Sequence, residues 1–177
     1  MPAVPSASLA RWKILVVDDE EEVHAVTTLV LSGFTFEGKS LEFIHAYTGR
    51  EARALAALHP DIALMLVDVV METEHAGLDL VRHVREDLRN LKTRVVLRTG
   101  QPGQAPEHQV IRQYDINDYK EKTDLTRRRL ITVFYAGLRA YRDLIGALLC
   151  GQRGWRVEVW AEAPSAPGGW ACVAKGS

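Results

Sequence analysis

Lys13-Ile14-Leu15-Val16-Val17-Asp18-Asp19-Glu20 is a short apolar, β-branched run that ends abruptly on acids. This is the pattern of a strand buried on both faces of a parallel sheet, its carboxyl end opening at the sheet edge. After it, Val23, Val26, Thr27 and Val30 recur at helical spacing between Glu20 and Leu31. Acids fill the first turn, where the helix dipole favours them. Strand followed by helix is the opening unit.

The same alternation continues outward from that unit. Residues 43–47 read as a strand and Gly49 to Leu58 as an Ala/Leu helix stopped by Pro60; residues 62–67 read as a strand and 78–88 as a helix. Next come a strand over 94–98, a short helix over 106–113, a short strand over 115–119 and a helix from about Asp124. Five strands alternating with five helices imply right-handed crossovers onto one parallel sheet covered on both faces, a doubly wound α/β domain over residues 12–145.

Composition bounds the remainder. The chain has 177 residues, 47% hydrophobic and 25% charged, with 22 basic against 23 acidic side chains. These are the proportions of a globular protein, without the basic field that would argue for nucleic acid. Its two cysteines, Cys150 and Cys172, supply no disulfide framework for the body, and a reducing compartment is the simpler reading. The first twelve residues hold no signal-peptide core, and no apolar stretch approaches the ~20 residues of a membrane span. The expectation is a cytoplasmic protein with no membrane and no nucleic-acid partner. Its organisation reads as an N-terminal extension over 1–11, the domain over 12–145 with its last helix continuing to about 150, and a Gly/Pro/Trp-containing tail over 151–177 too short to enclose a core of its own.

The last helix carries Leu130, Phe134, Leu138, Tyr141, Ile145 and Leu148 in one stripe. A helix over that span is about 40 Å long, so its distal half should stand clear of a small sheet. Two readings stay open: packing on its own domain and tail, or a two-helix dimer seam.

Ligands of an open parallel sheet bind beyond the carboxyl ends of its strands. The polar residues there are Asp18 and Asp19 after the first strand, Asp68 after the third, Thr99 after the fourth and Lys122 after the fifth. Neighbouring strands lie about 4.8 Å apart, so adjacency of the first and third would bring three carboxylates together. Such a trio repels unless a cation compensates, and Mg²⁺ suits oxygen ligands with room left for water or phosphate. Asp68, alone at its strand end, is placed to attack phosphorus as an already ionised nucleophile. Metal, the Lys122 ammonium and the Thr99 hydroxyl would then neutralise the three equatorial oxygens. Lys120 rivals Lys122, the spacing from Tyr119 favouring the latter. The six histidines show no metal-ligand spacing.

KILVVDDE, LMLVDVVM, VLRTG and NDYKEK, in this order and at these spacings, resemble the response-regulator receiver domain of two-component signalling. The resemblance implies a flavodoxin-like sheet of strand order 2-1-3-4-5. It implies Asp68 as phosphoacceptor, Asp18 and Asp19 as acidic metal-site residues and the Val70 backbone carbonyl as a further ligand. It further implies Thr99 and Lys122 on the phosphoryl group, Tyr119 as an aromatic switch, and a histidine kinase or phosphotransfer protein as donor. Phosphorylation would then remodel the face made by the fourth helix, fifth strand and last helix. LVLSGFTFEGKSLEF and LRTGQPGQAPEHQVIRQYDINDYKEKTDLT are also similar to receivers of HD-type cyclic di-GMP phosphodiesterase regulators; no His-Asp dipeptide occurs in this chain, so that enzyme activity does not carry over.

Three departures stand out. Met71 is followed by Glu72 where the family has Pro, Gly77 arrives one residue late, and Lys122 precedes Thr123 where the family has a proline. Two other functions compete. A phosphatase with an aspartyl intermediate would need an acid two residues after the nucleophile, and that position is Val70. A phosphorylation-independent interaction module would work through the last helix. Neither a GxGxxG nor a GxxxxGK[ST] loop follows any strand, which argues against a nucleotide-binding domain.

Overall fold

A computed structural model describes residues 11–100, 111–112, 116–121, 126–152, 155–159 and 170–174, without the side chains of 119–121, 152, 155–159 and 170–174. Its strands are β1 (Trp12–Val17), β2 (Thr35–Phe36), β3 (Lys39–Ala46), β4 (Leu64–Asp68), β5 (Arg94–Thr99), β6 (Asp118–Glu121), β7 (Trp155–Val159) and β8 (Trp170–Ala174). The helices are α1 (Glu21–Val30), α2 (Gly49–Leu58), α3 (Ala76–Arg82), which runs on into a π-type turn over His83–Asp87, and α4 (Arg127–Gln152).

One sheet has the order β2-β3-β1-β4-β5-β6. Its five longer strands, β3-β1-β4-β5-β6, are all parallel, the flavodoxin-like arrangement expected from the sequence. The sheet is wider than expected because β2 adds an antiparallel edge. Glu37 and Gly38, at φ 51° and 73°, make the two-residue hairpin between β2 and β3, and glycine takes that left-handed backbone without penalty. The strand read as 43–47 therefore begins at Lys39. Of the helix expected over 106–113, only 111–112 lie among the described residues, and these are helical. The tail strand expected at 155–160 pairs antiparallel with β8.

Alternation along the strands divides the core in two. Leu15, Val17, Met65, Val67, Val95 and Leu97 pack with α2 and α3, whereas Ile14, Val16, Leu64, Leu66 and Val96 pack under α4 with Leu31 and Phe36. Both faces of β1 and β4 are closed to water, which is why their sequences read as continuous apolar runs.

The stripe of α4 serves this second core. Leu130, Phe134, Leu138 and Tyr141 are buried in it and Ile145 packs against it. Tyr141 donates to the Asp61 carbonyl at 3.3 Å and meets Trp12 edge-on, and Arg142 pairs with Glu37 of the hairpin. The half expected to stand clear is thus held down by the start of β1 and the unforeseen β2–β3 hairpin; only Leu148 and Leu149 of its large apolar side chains near the end stay exposed. Cys150, buried in the last turns of α4, is disulfide-bonded, unlike the reduced thiol expected from the sequence.

α4 approaches the sheet closely at Gly137, where an added Cβ would lie 2.4 Å from Leu64 Cδ1. Gly151, in the same helix, has nothing within 4 Å of that position. Ala gains about 1 kcal/mol over Gly in helix propensity, but overpacking a closed core costs about 1–3 kcal/mol. Gly137→Ala should lower stability in urea melts while Gly151→Ala leaves it unchanged or raises it slightly; equal effects would contradict the packing described.

Candidate functional site

Strand register assembles the site. Val17 pairs with Val67, so Asp18 and Asp68, each next in its chain, end level on adjacent strands. Asp68 in turn pairs with Arg98, and Thr99 lies one residue further along β5. Asp18, Asp68 and Thr99 are buried, while Asp19 and Glu20 are exposed at the start of the β1–α1 loop. Ligand oxygens of Asp18, Asp19 and Glu20 lie within 4.8 Å of one another. This all-oxygen, carboxylate-rich donor set suits a hard divalent cation such as Mg²⁺.

Arg98 was not among the expected site residues. Its guanidinium, 5% exposed, donates from Nη2 to Asp18 Oδ2 at 2.8 Å, and Asp18 has no exposed surface. Burial pushes Arg98 below the ordinary guanidinium value, opposed by the Asp18 and Asp68 carboxylates. Alternation from Val96 was the available signal, since Arg98 falls on the same face as Asp18 and Asp68, two residues beyond Val16 and Leu66.

Asp18 is fixed on further sides. Its Oδ1 accepts the Glu20 N–H at 3.0 Å, and its own N–H donates to the Ala46 carbonyl at 3.2 Å. His24 Nε2 lies 2.8 Å from the Asp18 carbonyl, and that oxygen can only accept, so Nε2 carries the proton. Its Nδ1 lies 2.8 Å from His45 Nδ1, so one ring donates to the other. Burial, with His24 beside it, pushes His45 below its usual value. Two of the histidines without metal spacing thus form a structural relay behind the site.

The loop after β4 folds back on Asp68. Val69 N–H donates to the Arg98 carbonyl at 2.9 Å and Gly77 N–H to the Val69 carbonyl at 3.1 Å. A Cβ on Gly77 would sit 2.0 Å from the Asp68 carbonyl oxygen, so only glycine permits this approach. Val70, half-buried, lies in the same loop against the α2/α3 core. Glu72 Oε1 accepts the Gly49 N–H at 2.8 Å, giving the first turn of α2 an acidic partner.

On the far side, Lys120 pairs with Arg98 and Glu121 with Thr99, and Tyr119 pairs with Leu97. Lys122 and Thr123 lie outside the described residues. The structure therefore brings Asp18, Asp19, Asp68 and Thr99 to one edge, with the Tyr119 backbone in the adjoining strand.

No family model matches the chain. The 3'3'-cGAMP-specific phosphodiesterase 2 of Vibrio cholerae serotype O1 is 60% identical over 133 residues, 75% of this chain and 26% of that protein. The chain thus spans about a quarter of this curated relative's length. A signal receiver domain of two-component signal transduction from Clostridium thermocellum matches with TM-score 0.62 at 19% identity, over 73% of this chain and 98% of its own. The signal receiver domain of an HD domain-containing protein from Pseudomonas fluorescens matches with TM-score 0.64 at 20% identity, over 81% and 98%. The chain has the fold of a response-regulator receiver domain. In sequence, the resemblance runs to a cyclic-dinucleotide phosphodiesterase.

The Glu72 contact is open to direct measurement. Losing a side-chain acceptor at a helix start costs about 0.5–2 kcal/mol. Glu72→Ala should lose that much stability and speed amide exchange at Gly49, whereas Glu72→Gln should keep most of both; unchanged exchange at Gly49 in the alanine variant would refute the capping role.

Proposed function

We propose that this chain is a phosphoryl-accepting receiver unit of two-component signalling, with Asp68 as the acceptor. The observation that carries the reading is the register that ends Asp18 and Asp68 level on adjacent buried strands, with Thr99 on the next. The receiver fold and the titles of its structural neighbours support it.

An Asp68 carboxylate oxygen attacks the phosphorus of a phosphohistidine on a histidine kinase or phosphotransfer protein. The new P–O bond forms as the P–N bond breaks, and the imidazole nitrogen keeps the electron pair. No proton is abstracted from Asp68, because a carboxylate is ionised at neutral pH. Asp18, Asp19, Asp68 and the Val70 backbone carbonyl are the residues that would hold Mg²⁺. When bound, the ion supplies positive charge to the developing phosphoryl oxygens. The Thr99 hydroxyl donates to one of these oxygens and the Lys122 ammonium to another, and Tyr119 follows Thr99 in the switch.

The receiver unit is read as residues 12–145, with 1–11 and 151–177 as appendages and its location as the cytoplasm. Neither nucleic acid nor membrane is among its proposed partners. A homodimer through α4 would use the exposed Leu148 and Leu149, since the rest of the stripe is occupied. The activity named for the Vibrio cholerae relative belongs to a protein of which this chain spans 26%, and the chain is read as a switch for such an output rather than the enzyme. Phosphorylation-independent interaction is the competing reading.

Incubation with acetyl phosphate and Mg²⁺ should add one hydroxylamine-labile phosphoryl group per chain, read by intact-mass spectrometry. Asp68→Asn should remain unmodified. A wild-type chain that stays unmodified, or an Asn variant that is modified equally, would overturn the assignment.

A further inference from the structure

We infer that His24 and His45, with the carboxylate of Glu21, form a site for a borderline divalent transition-metal ion such as Zn²⁺, in the groove between α1 and β3. The phosphoryl chemistry proposed at Asp68 uses neither imidazole, and the site stands whether or not that aspartate is modified.

The fold joins residues that the sequence keeps apart. His24, on α1, and His45, on β3, are 21 residues distant, yet their Nδ1 atoms face each other at 2.8 Å and their ring planes are inclined at 65°. The inner nitrogen of His24, Nε2, is committed to the Asp18 carbonyl. A ligating histidine is ordinarily held in this way, its second ring nitrogen donating to a carbonyl while the first faces the ion. His24 is 3% exposed and His45 half-buried, so one ring is fixed and the other can turn. Both line an open groove of roughly 850 Å³, together with Glu21, Thr28 and Tyr47. Glu21 and His24 are three residues apart on α1 and therefore share a helix face, the Glu-x-x-His spacing that places both side chains on one ion. Glu21 is exposed, and its carboxylate is free to swing over the rings.

Donor chemistry then selects the ion. Two imidazoles and one carboxylate suit Zn²⁺ and its neighbours, whereas Mg²⁺ prefers oxygen alone. Two ring nitrogens bound at about 2.0–2.1 Å on adjacent positions lie about 2.9–3.4 Å apart, so the pair needs to open by only a few tenths of an ångström. Facing nitrogens at 2.8 Å share one proton, and the ion takes its place; that proton moves to His45 Nε2 or leaves to water. Burial, with His24 beside it, already holds His45 below its usual value and so favours the unprotonated ligand. Water fills the remaining positions on the groove side.

Zn²⁺ titrated calorimetrically into the full chain, with Mg²⁺ in excess to occupy all-oxygen sites, should bind at one equivalent. Loss of a ligand exceeds the cost of losing an outer partner, so His45→Gln should weaken binding at least about tenfold. Affinity unchanged in that variant would place the ion elsewhere, at the acidic edge or on the other histidines, and overturn the inference. Glu21→Gln, at an exposed position, should weaken binding by a smaller factor, and no loss there would overturn the three-ligand site. Should His45→Gln fail to fold, long-range ¹H–¹⁵N spectra of the wild-type imidazoles decide: Zn²⁺ should move the Nδ1 resonances of His24 and His45 before those of the other four histidines. Movement confined to those four, or none at all, would overturn the site.

Discussion

A carboxylate with no exposed surface ends the central strand of this protein. Asp18 follows Ile14, Leu15, Val16 and Val17, all fully buried, so its charge is formed where water cannot solvate it. An isolated buried carboxylate is among the most expensive groups a fold can contain, and it persists only when paired and hydrogen-bonded. Arg98 provides the charge, the Glu20 N–H a further donor, and the His24–His45 relay fixes the carbonyl of the same residue. The Glu20 N–H bond to Asp18 Oδ1 also ties the start of the β1–α1 loop, where Asp19 is exposed, to that carboxylate.

The division of the sheet into two faces gives that pair its reach. Arg98 and Asp18 lie on the α1/α4 side, whereas Thr99 follows Leu97 toward the α2/α3 side. The edge of the sheet is thus lined by side chains of both layers. α4 is fixed to the sheet through Gly137 on Leu64, Phe134 in the core and Tyr141 on Asp61 and Trp12.

Much of this was legible in the sequence because burial on both faces leaves an unmistakable pattern. β1 and β4 read directly as apolar runs ending on acids, and the parallel order followed from alternation with helices. What escaped did so for local reasons. β2 is a two-residue strand whose signal is the Glu37-Gly38 turn, too short for any periodicity. The distal half of α4 was read as free because the hairpin that receives Arg142 was not foreseen. Arg98 was overlooked because an arginine near a strand end is ordinarily solvated by its long side chain, although its parity with Asp18 and Asp68 was readable. Pairing partners of His24 and the acceptor role of Glu72 depend on contacts 21 and 23 residues away, which no window of sequence displays.

The β4–α3 loop is pinned by contacts of its own. Where Pro would stiffen the loop by fixing one φ, Glu72 ties it to another element by accepting the Gly49 N–H. Gly49 is suited to this, since a Cβ there would lie 2.9 Å from Glu72 Oε1. The late arrival of Gly77 lengthens the loop without losing the contact that matters, because its missing Cβ still lets the backbone close onto the Asp68 carbonyl. The extra residue is absorbed between Met71 and Ala76, where Met71 and Ala76 both donate their N–H to the Thr73 carbonyl. In this chain the Gly77 approach closes the loop onto the Asp68 backbone, and the Glu72 carboxylate pins the same loop to the first turn of α2.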